Sequence, residues 1–162
     1  KNNSLSSIFY LFNRQQKLLA LEALDQVGLL SKAFARTDQL SGGQQQRVGI
    51  ARAIVKKPML MLADEPVASL DPMISFQVLS LLKEISISQG ITVLCNLHQV
   101  DFALRFADRI IGLAEGRIVI DKPVKEVDSE YIRKIYQGHD QGLFFGPNTD
   151  QSGVDDFLSY KP

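Results

Sequence analysis

The sequence predicts an α/β domain with helices layered on a mostly parallel sheet. Three observations carry that expectation. Apolar positions at helical spacing alternate with short continuous apolar runs, the pattern of buried parallel strands joined by crossover helices. Helix starts (Ser41, Asp71-Pro72) and helix ends (Gly28, Gly90) fall at the borders between them. Two adjacent carboxylates, Asp64 and Glu65, directly follow one of the runs, and ligand sites in open α/β sheets lie at such strand ends.

The elements follow in chain order. Leu18, Leu19, Leu21, Ala23, Leu24 and Val27 form an apolar face over 16–27, closed by Gly28. The stretch "QLSGGQQQR" reads as a loop entering a helix, with Val48, Ala51, Ile54 and Val55 on its inner side and Pro58 beyond its end. Met59 to Ala63 is apolar throughout, as expected of a parallel strand covered on both faces. Asp71 and Pro72 open a third helix with a stripe of Val78, Leu81, Leu82 and Ile85, ended by Gly90. Ile91 to Leu97 is a second apolar strand, and 99–107 looks helical. Arg109 to Leu113 and Arg117 to Ile120, joined around Glu115-Gly116, read as a hairpin. A short helix is expected over 129–136. From Gly138 the composition turns to Gly, Asp, Asn, Gln and Ser, with Phe144-Phe145 embedded, so 138–162 is expected to be a flexible tail.

Composition narrows the function. The chain has 162 residues, of which 45% are hydrophobic, enough for one domain with a core. Lysine plus arginine equals aspartate plus glutamate at 18 each, so no overall field steers the chain to nucleic acid or anionic lipid. The single cysteine, Cys95, excludes an internal disulfide framework and fits a reducing compartment. No apolar stretch approaches the ~20 residues of a membrane span, and no signal peptide opens the chain. Any tie to a membrane would run through a partner.

Three groups of residues carry chemistry. The amides at a glycine-rich helix start attract an anion and let it come close, which marks Ser41, Gly42 and Gly43. A carboxylate leaving a buried strand suits a hard cation, the task read for Asp64. Glu65 is placed to orient and deprotonate a water attacking a phosphoryl group. His98 ends the next strand and should open on the same edge, to contact a terminal phosphate and help place that water. Each feature alone is more often a solvated strand end or a turn residue. His139 has no such company and is assigned nothing.

In their order, "LSGGQQQR", "MLMLADEP", "ASLD" and a histidine after the following strand resemble the ATP-binding subunit of ABC transporters. The resemblance runs from about Ser7 to Tyr136. It identifies the double-glycine stretch with the signature motif, Asp64 and Glu65 with the Walker B pair, Ser69-Leu70-Asp71 with the D-loop and His98 with the switch histidine. It implies a P-loop NTPase-like, three-layer core over about 58–137, with a helical signature subdomain over about 5–57. ATP and Mg²⁺ are the implied cofactors. Two subunits would pair head to tail, so that Ser41, Gly42, Gly43 and Gln44 meet the ATP held by the partner, and Asp71 of the D-loop counts among the nucleotide-binding residues. Asp64 would hold Mg²⁺; Glu65 and His98 would be catalytic. Leu40 would pack the loop onto its helix.

The resemblance also implies a wider setting. "DEPVASLDP" and "GITVLCNLHQVDFALRFADRIIGLAEGRIVIDKP" look most like the phosphonate-importer type, as does the early "SIFYLF". Many other importers have Thr-His-Asp around the histidine and threonine where Val67 stands. Lys122 stands where glycine is common and Cys95 where valine is common. The implied partners are a second ATP-binding subunit, an integral-membrane permease and, indirectly, a solute-binding protein, with no nucleic acid. The implied location is the cytoplasmic face of the bacterial inner membrane. No G-x-x-x-x-G-K-[S/T] occurs in these residues. The expectation is therefore a carboxyl-terminal part of the subunit, inactive alone, with the P-loop strand belonging between Ile91–Leu97 and Arg109–Leu113. The competing readings are a non-catalytic remnant that only docks to partners, the ATPase of another importer, and a soluble ABC ATPase acting on nucleic acid or ribosomes.

Overall fold

The computed structural model describes residues 12–128 and 130–132. Most of "SIFYLF", the tail from Gly138 with Phe144-Phe145, and His139 lie outside the described residues. Of the helix expected over 129–136, only 130–132 are described, and they are helical.

Helix α1 spans Arg14–Gln26. It starts in a reciprocal cap, in which the Asn13 side chain accepts from the Gln16 amide while the Gln16 side chain accepts from the Asn13 amide. It ends in a Schellman arrangement: Gly28 N–H donates to Asp25 O and Leu29 N–H to Leu24 O. Helix α2 (Gly42–Ile54) follows two short 3₁₀ turns, Leu30–Lys32 and Thr37–Gln39. Strand β1 is Leu60–Asp64. Helix α3 (Pro72–Gln89) is capped by Asp71, whose Oδ1 accepts from the Ile74 amide. Gly90 ends it with φ of 66°, a left-handed conformation that costs glycine nothing. Strand β2 (Thr92–Asn96) and helix α4 (Val100–Phe106) lead to the antiparallel hairpin of β3 (Arg109–Ala114) and β4 (Arg117–Pro123).

The α/β class and the parallel pairing are as the sequence predicts. β1 and β2 are parallel and in register, from Leu60 opposite Thr92 to Asp64 opposite Asn96. Two cores form. The larger packs Met61 and Ile91 against Val78, Leu79, Leu82 and Ile85 of α3, Ile50 and Ile54 of α2, and Val27. The smaller gathers Ile110, Ile120, Val127 and Ile132. Helix α4 serves both, giving Phe102 and Phe106 to the first and Val100, Ala103 and Leu104 to the second, which Ala107 just beyond it joins. An exposed pair ties the hairpin strands: Arg109 Nε and a second guanidinium nitrogen reach Asp121 at 2.6 and 2.8 Å, which holds the Asp121 carboxyl below its usual range.

One expectation needs correcting. Met59–Ala63 was expected to be buried on both faces, yet β1 is covered on one only. Met61 is buried, whereas Leu62 is 70% exposed beside Leu94, its partner on β2, which is also exposed. The continuous apolar run is real; among the described residues, its second face has no helical layer against it. The hairpin repeats the pattern, with Ile111, Leu113 and Ile118 outward and Ile110 and Ile120 inward. Among the described residues the strands form two sheets, β1-β2 and β3-β4, and β2 does not pair with β3. That unpaired interval is where the resemblance puts the P-loop strand.

Uncovered apolar faces and open strand edges invite association. Expressed alone, the 162-residue chain is expected to self-associate in light scattering. The pair Leu62→Lys and Leu94→Lys should lower the associated fraction, and a monodisperse unsubstituted monomer would contradict this account.

Candidate functional site

The parallel register builds the first half of the site. Asp64 and Asn96 are the last residues of β1 and β2 and lie directly opposite, so their side chains share one face of the sheet. Asn96 Nδ2 donates to Asp64 Oδ1 at 3.1 Å. The chain then turns sharply at Glu65, whose φ of 44° is unusual for a residue with a Cβ. Such a conformation costs about 1 kcal/mol; the Ala68 amide, donating to Glu65 O, helps hold it. The turn swings the Glu65 side chain to His98, and Nε2 stands 2.6 Å from Oε1. An ionised carboxylate only accepts, so Nε2 donates in this contact and carries the ring proton. Both side chains stay near half-exposed, 57% for His98 and 45% for Glu65, so the pair remains open to a ligand.

Asp64 keeps Oδ2 while Oδ1 is engaged. Among the described residues no group of three or more His, Cys, Asp or Glu is arranged to hold a metal ion. One carboxylate is nonetheless what Mg²⁺ accepts when waters and phosphate oxygens complete its shell, so the donor set fits a nucleotide-bound Mg²⁺. Cys95, the neighbour of Asn96, is half-buried, and burial pushes its thiol up to about 11. A thiol so shifted is a poor nucleophile near neutrality, and its place in the strand is a packing one.

The start of α2 forms the second half. Ser41 is the N-cap: its Oγ accepts from the Gln44 amide at 3.3 Å, and Gln44 Oε1 accepts from the Ser41 amide at 3.0 Å. Helix geometry leaves the Gly42 and Gly43 amides without an intrahelical acceptor, the feature that suits an anion. Leu40 is buried, as expected of a packing residue, and its carbonyl accepts from Gln45 Nε2. The two glycines meet an unforeseen constraint. A Cβ on Gly43 would lie 2.4 Å from Ile74 Cγ2, and one on Gly42 would lie 3.1 Å from Leu70 Cδ2. Close packing on the segment after the carboxylates therefore demands glycine at 43 before any ligand arrives.

The structure gathers Asp64, Glu65 and His98 at one strand edge, as the sequence predicts, and lays the Ser41–Gly43 loop against Leu70 and Ile74. It does not bond the loop to that edge: the polar atoms of Ser41 are engaged within their own helix start. Asp71 is engaged as the cap of α3. Sequence reasoning missed Asn96. The signal was a polar residue closing an apolar run, which becomes meaningful once that run is aligned with Leu60–Asp64.

Comparisons with known proteins place the chain among familiar relatives. Residues 3–68 match the ABC transporter family. The phosphonates import ATP-binding protein of Thiobacillus denitrificans is 56% identical over 133 residues, covering 82% of this chain and 51% of its own length. The phosphite import ATP-binding protein of Stutzerimonas stutzeri is 51% identical over 137 residues, covering 85% and 50%. The chain thus spans about half the length of the curated relatives it matches. Among solved structures, an inward-facing metal-chelate type ABC transporter aligns with a TM-score of 0.72 at 30% identity, covering 78% of this chain and 51% of that one. A dimeric ATP-binding cassette bound to ADP and Pi aligns at 0.59 with 36% identity, covering 70% and 49%.

The contact at Gly43 is directly testable. Gly43→Ala must displace Ile74, and overpacking of this kind costs about 1–3 kcal/mol. Denaturant unfolding should show that loss for Gly43→Ala, and the double variant Gly43→Ala with Ile74→Leu, which removes the Cγ2 branch, should recover part of it.

Proposed function

Because the chain belongs to the ABC transporter family, we propose that it supplies half of each ATP site in an importer of phosphonate type. The observation that carries this reading is the Glu65–His98 contact at 2.6 Å, one residue beyond Asp64 at the edge of a parallel pair. ATP and Mg²⁺ are the proposed cofactors. When bound, Mg²⁺ supplies charge neutralisation at the phosphates. Asp64 offers it Oδ2; Glu65 orients the attacking water and accepts its proton. His98 fixes the Glu65 carboxylate through Nε2–H; its other ring nitrogen accepts from a water in the neutral ring and donates to a phosphate only when the ring is protonated.

Ser41, Gly42 and Gly43 belong, in this reading, to a different nucleotide. The Gly42 and Gly43 amides have no intrahelical acceptor, and among the described residues the loop forms no bond to Asp64, Glu65 or His98, which supports an action in trans on the ATP of a second subunit. Gln44 helps through the cap that orients Ser41, and Asp71 holds the D-loop by closing α3. No described helix is long and apolar enough to cross a membrane. Coupling to transport is therefore proposed through an integral-membrane permease, with a solute-binding protein upstream and the subunit on the cytoplasmic face. The relatives named for phosphonate and for phosphite favour a small phosphorus oxyanion as cargo. Solute choice would rest with the other components, because no residue described here is placed to touch the cargo.

Two substitutions test the chemistry in a subunit completed to the length of its relatives. Glu65→Gln should retain ATP binding and lose the general base, a step whose removal commonly costs ~10²–10⁴-fold in rate. Near-normal turnover in that variant would remove Glu65 from the mechanism. Asp64→Asn should in addition weaken the dependence on Mg²⁺.

The trans assignment has its own test. Gly42→Asp sets a negative charge at the helix start, so each subunit should still bind ATP while closure of the dimer fails. In mixed dimers, hydrolysis should fall at the partner's site. Loss confined to the variant subunit's own site would refute action in trans.

A further inference from the structure

We propose that Asn96 is a positioning residue for Asp64. The inference rests on the reading of Asp64 as the carboxylate that meets Mg²⁺, and it assigns the orientation of that carboxylate to a side chain of the neighbouring strand. Asn96 closes β2 directly opposite Asp64, and its Nδ2 donates to Asp64 Oδ1 at 3.1 Å. Asparagine is among the poorer strand formers, so strand propensity does not account for it at the end of an apolar run. Both side chains lie on the uncovered face with Leu62 and Leu94, where no other described side chain bonds to Asp64.

The chemistry of the amide fits the task. A carboxylate on an exposed strand end rotates freely about its last bond; an amide hydrogen on one oxygen fixes the plane and presents the other. The donor is neutral, so it leaves the negative charge of Asp64 intact for a cation, which lysine or arginine in its place would cancel. It cannot repel, as a second carboxylate would. The end of β2 thus provides one partner for each carboxylate leaving β1: Asn96 for Asp64 and, two residues on, His98 for Glu65. Outer partners of this kind commonly change metal affinity ~10–100-fold when removed; with both groups exposed here, roughly 3–10-fold is expected.

The test uses the subunit completed to the length of its relatives and a non-hydrolysable ATP analogue, titrated calorimetrically with Mg²⁺ and again with EDTA. Asn96→Leu keeps the volume without the donor, and Asn96→Ala removes both. Each should bind the analogue roughly 3–10-fold more weakly with Mg²⁺ and unchanged in EDTA. Combined with Asp64→Asn, neither should add a further loss, because the two groups act as one unit. Should Asn96→Leu fold poorly, Asn96→Val carries the same expectation, since it favours the strand and has no donor to offer Oδ1. Equal weakening in Mg²⁺ and EDTA would reveal a merely structural residue and overturn the proposal, as would unchanged affinity in both. A parent subunit whose binding ignores Mg²⁺ would instead overturn the reading of Asp64 itself, and the role of Asn96 with it.

Discussion

The in-register parallel pairing of β1 and β2 is the constraint on which everything else hangs. With Leu60 opposite Thr92 and Asp64 opposite Asn96, the two strands end at the same height. A slip of one residue would send Asp64 and Asn96 to opposite faces and bury Leu62 in place of Met61. The register is fixed from the inside: Met61 and Ile91 lock into the α3 stripe of Val78, Leu79, Leu82 and Ile85. Site geometry is therefore a by-product of core packing. The left-handed turn at Glu65 adds the single departure from regular backbone that brings a second carboxylate to His98.

The loop at Ser41 shows how one set of atoms can serve folding and the proposed anion contact together. Ser41 and Gln44 close the helix start between them, which leaves the Gly42 and Gly43 amides without an intrahelical acceptor. The same glycines admit Ile74 and Leu70 to close contact. A larger residue at 43 would thus lift the loop from α3 and misdirect the amides in the same movement. The cap of α3 by Asp71 fixes Ile74 in turn, so the loop and the turn after Glu65 are seated on a common support.

Much of this was legible in the chain. Caps and stops are local, written in residues such as Ser41, Asp71, Gly28 and Gly90, so the helices could be placed from sequence. Asp64, Glu65 and His98 could be brought to one edge because strand ends in parallel sheets face one way. Three things were not legible. The partnership of Asn96 depends on register, which apolar runs do not reveal. The demand for glycine at 43 depends on a contact with Ile74, thirty-one positions away. The uncovered face of Leu62 and Leu94 was hidden because a continuous apolar run states what a strand is built to meet, and what meets it lies elsewhere.

Helix α4 has a further consequence. It is a seven-residue rod whose opposite sides are both occupied, Phe102 and Phe106 toward the larger core and Ala103 and Leu104 toward the smaller. His98 lies two residues before it begins. The imidazole is consequently tethered to a shared axle between two masses of the protein. A displacement of the hairpin about that axle would reach the ring that touches Glu65 through only a few residues of packed chain.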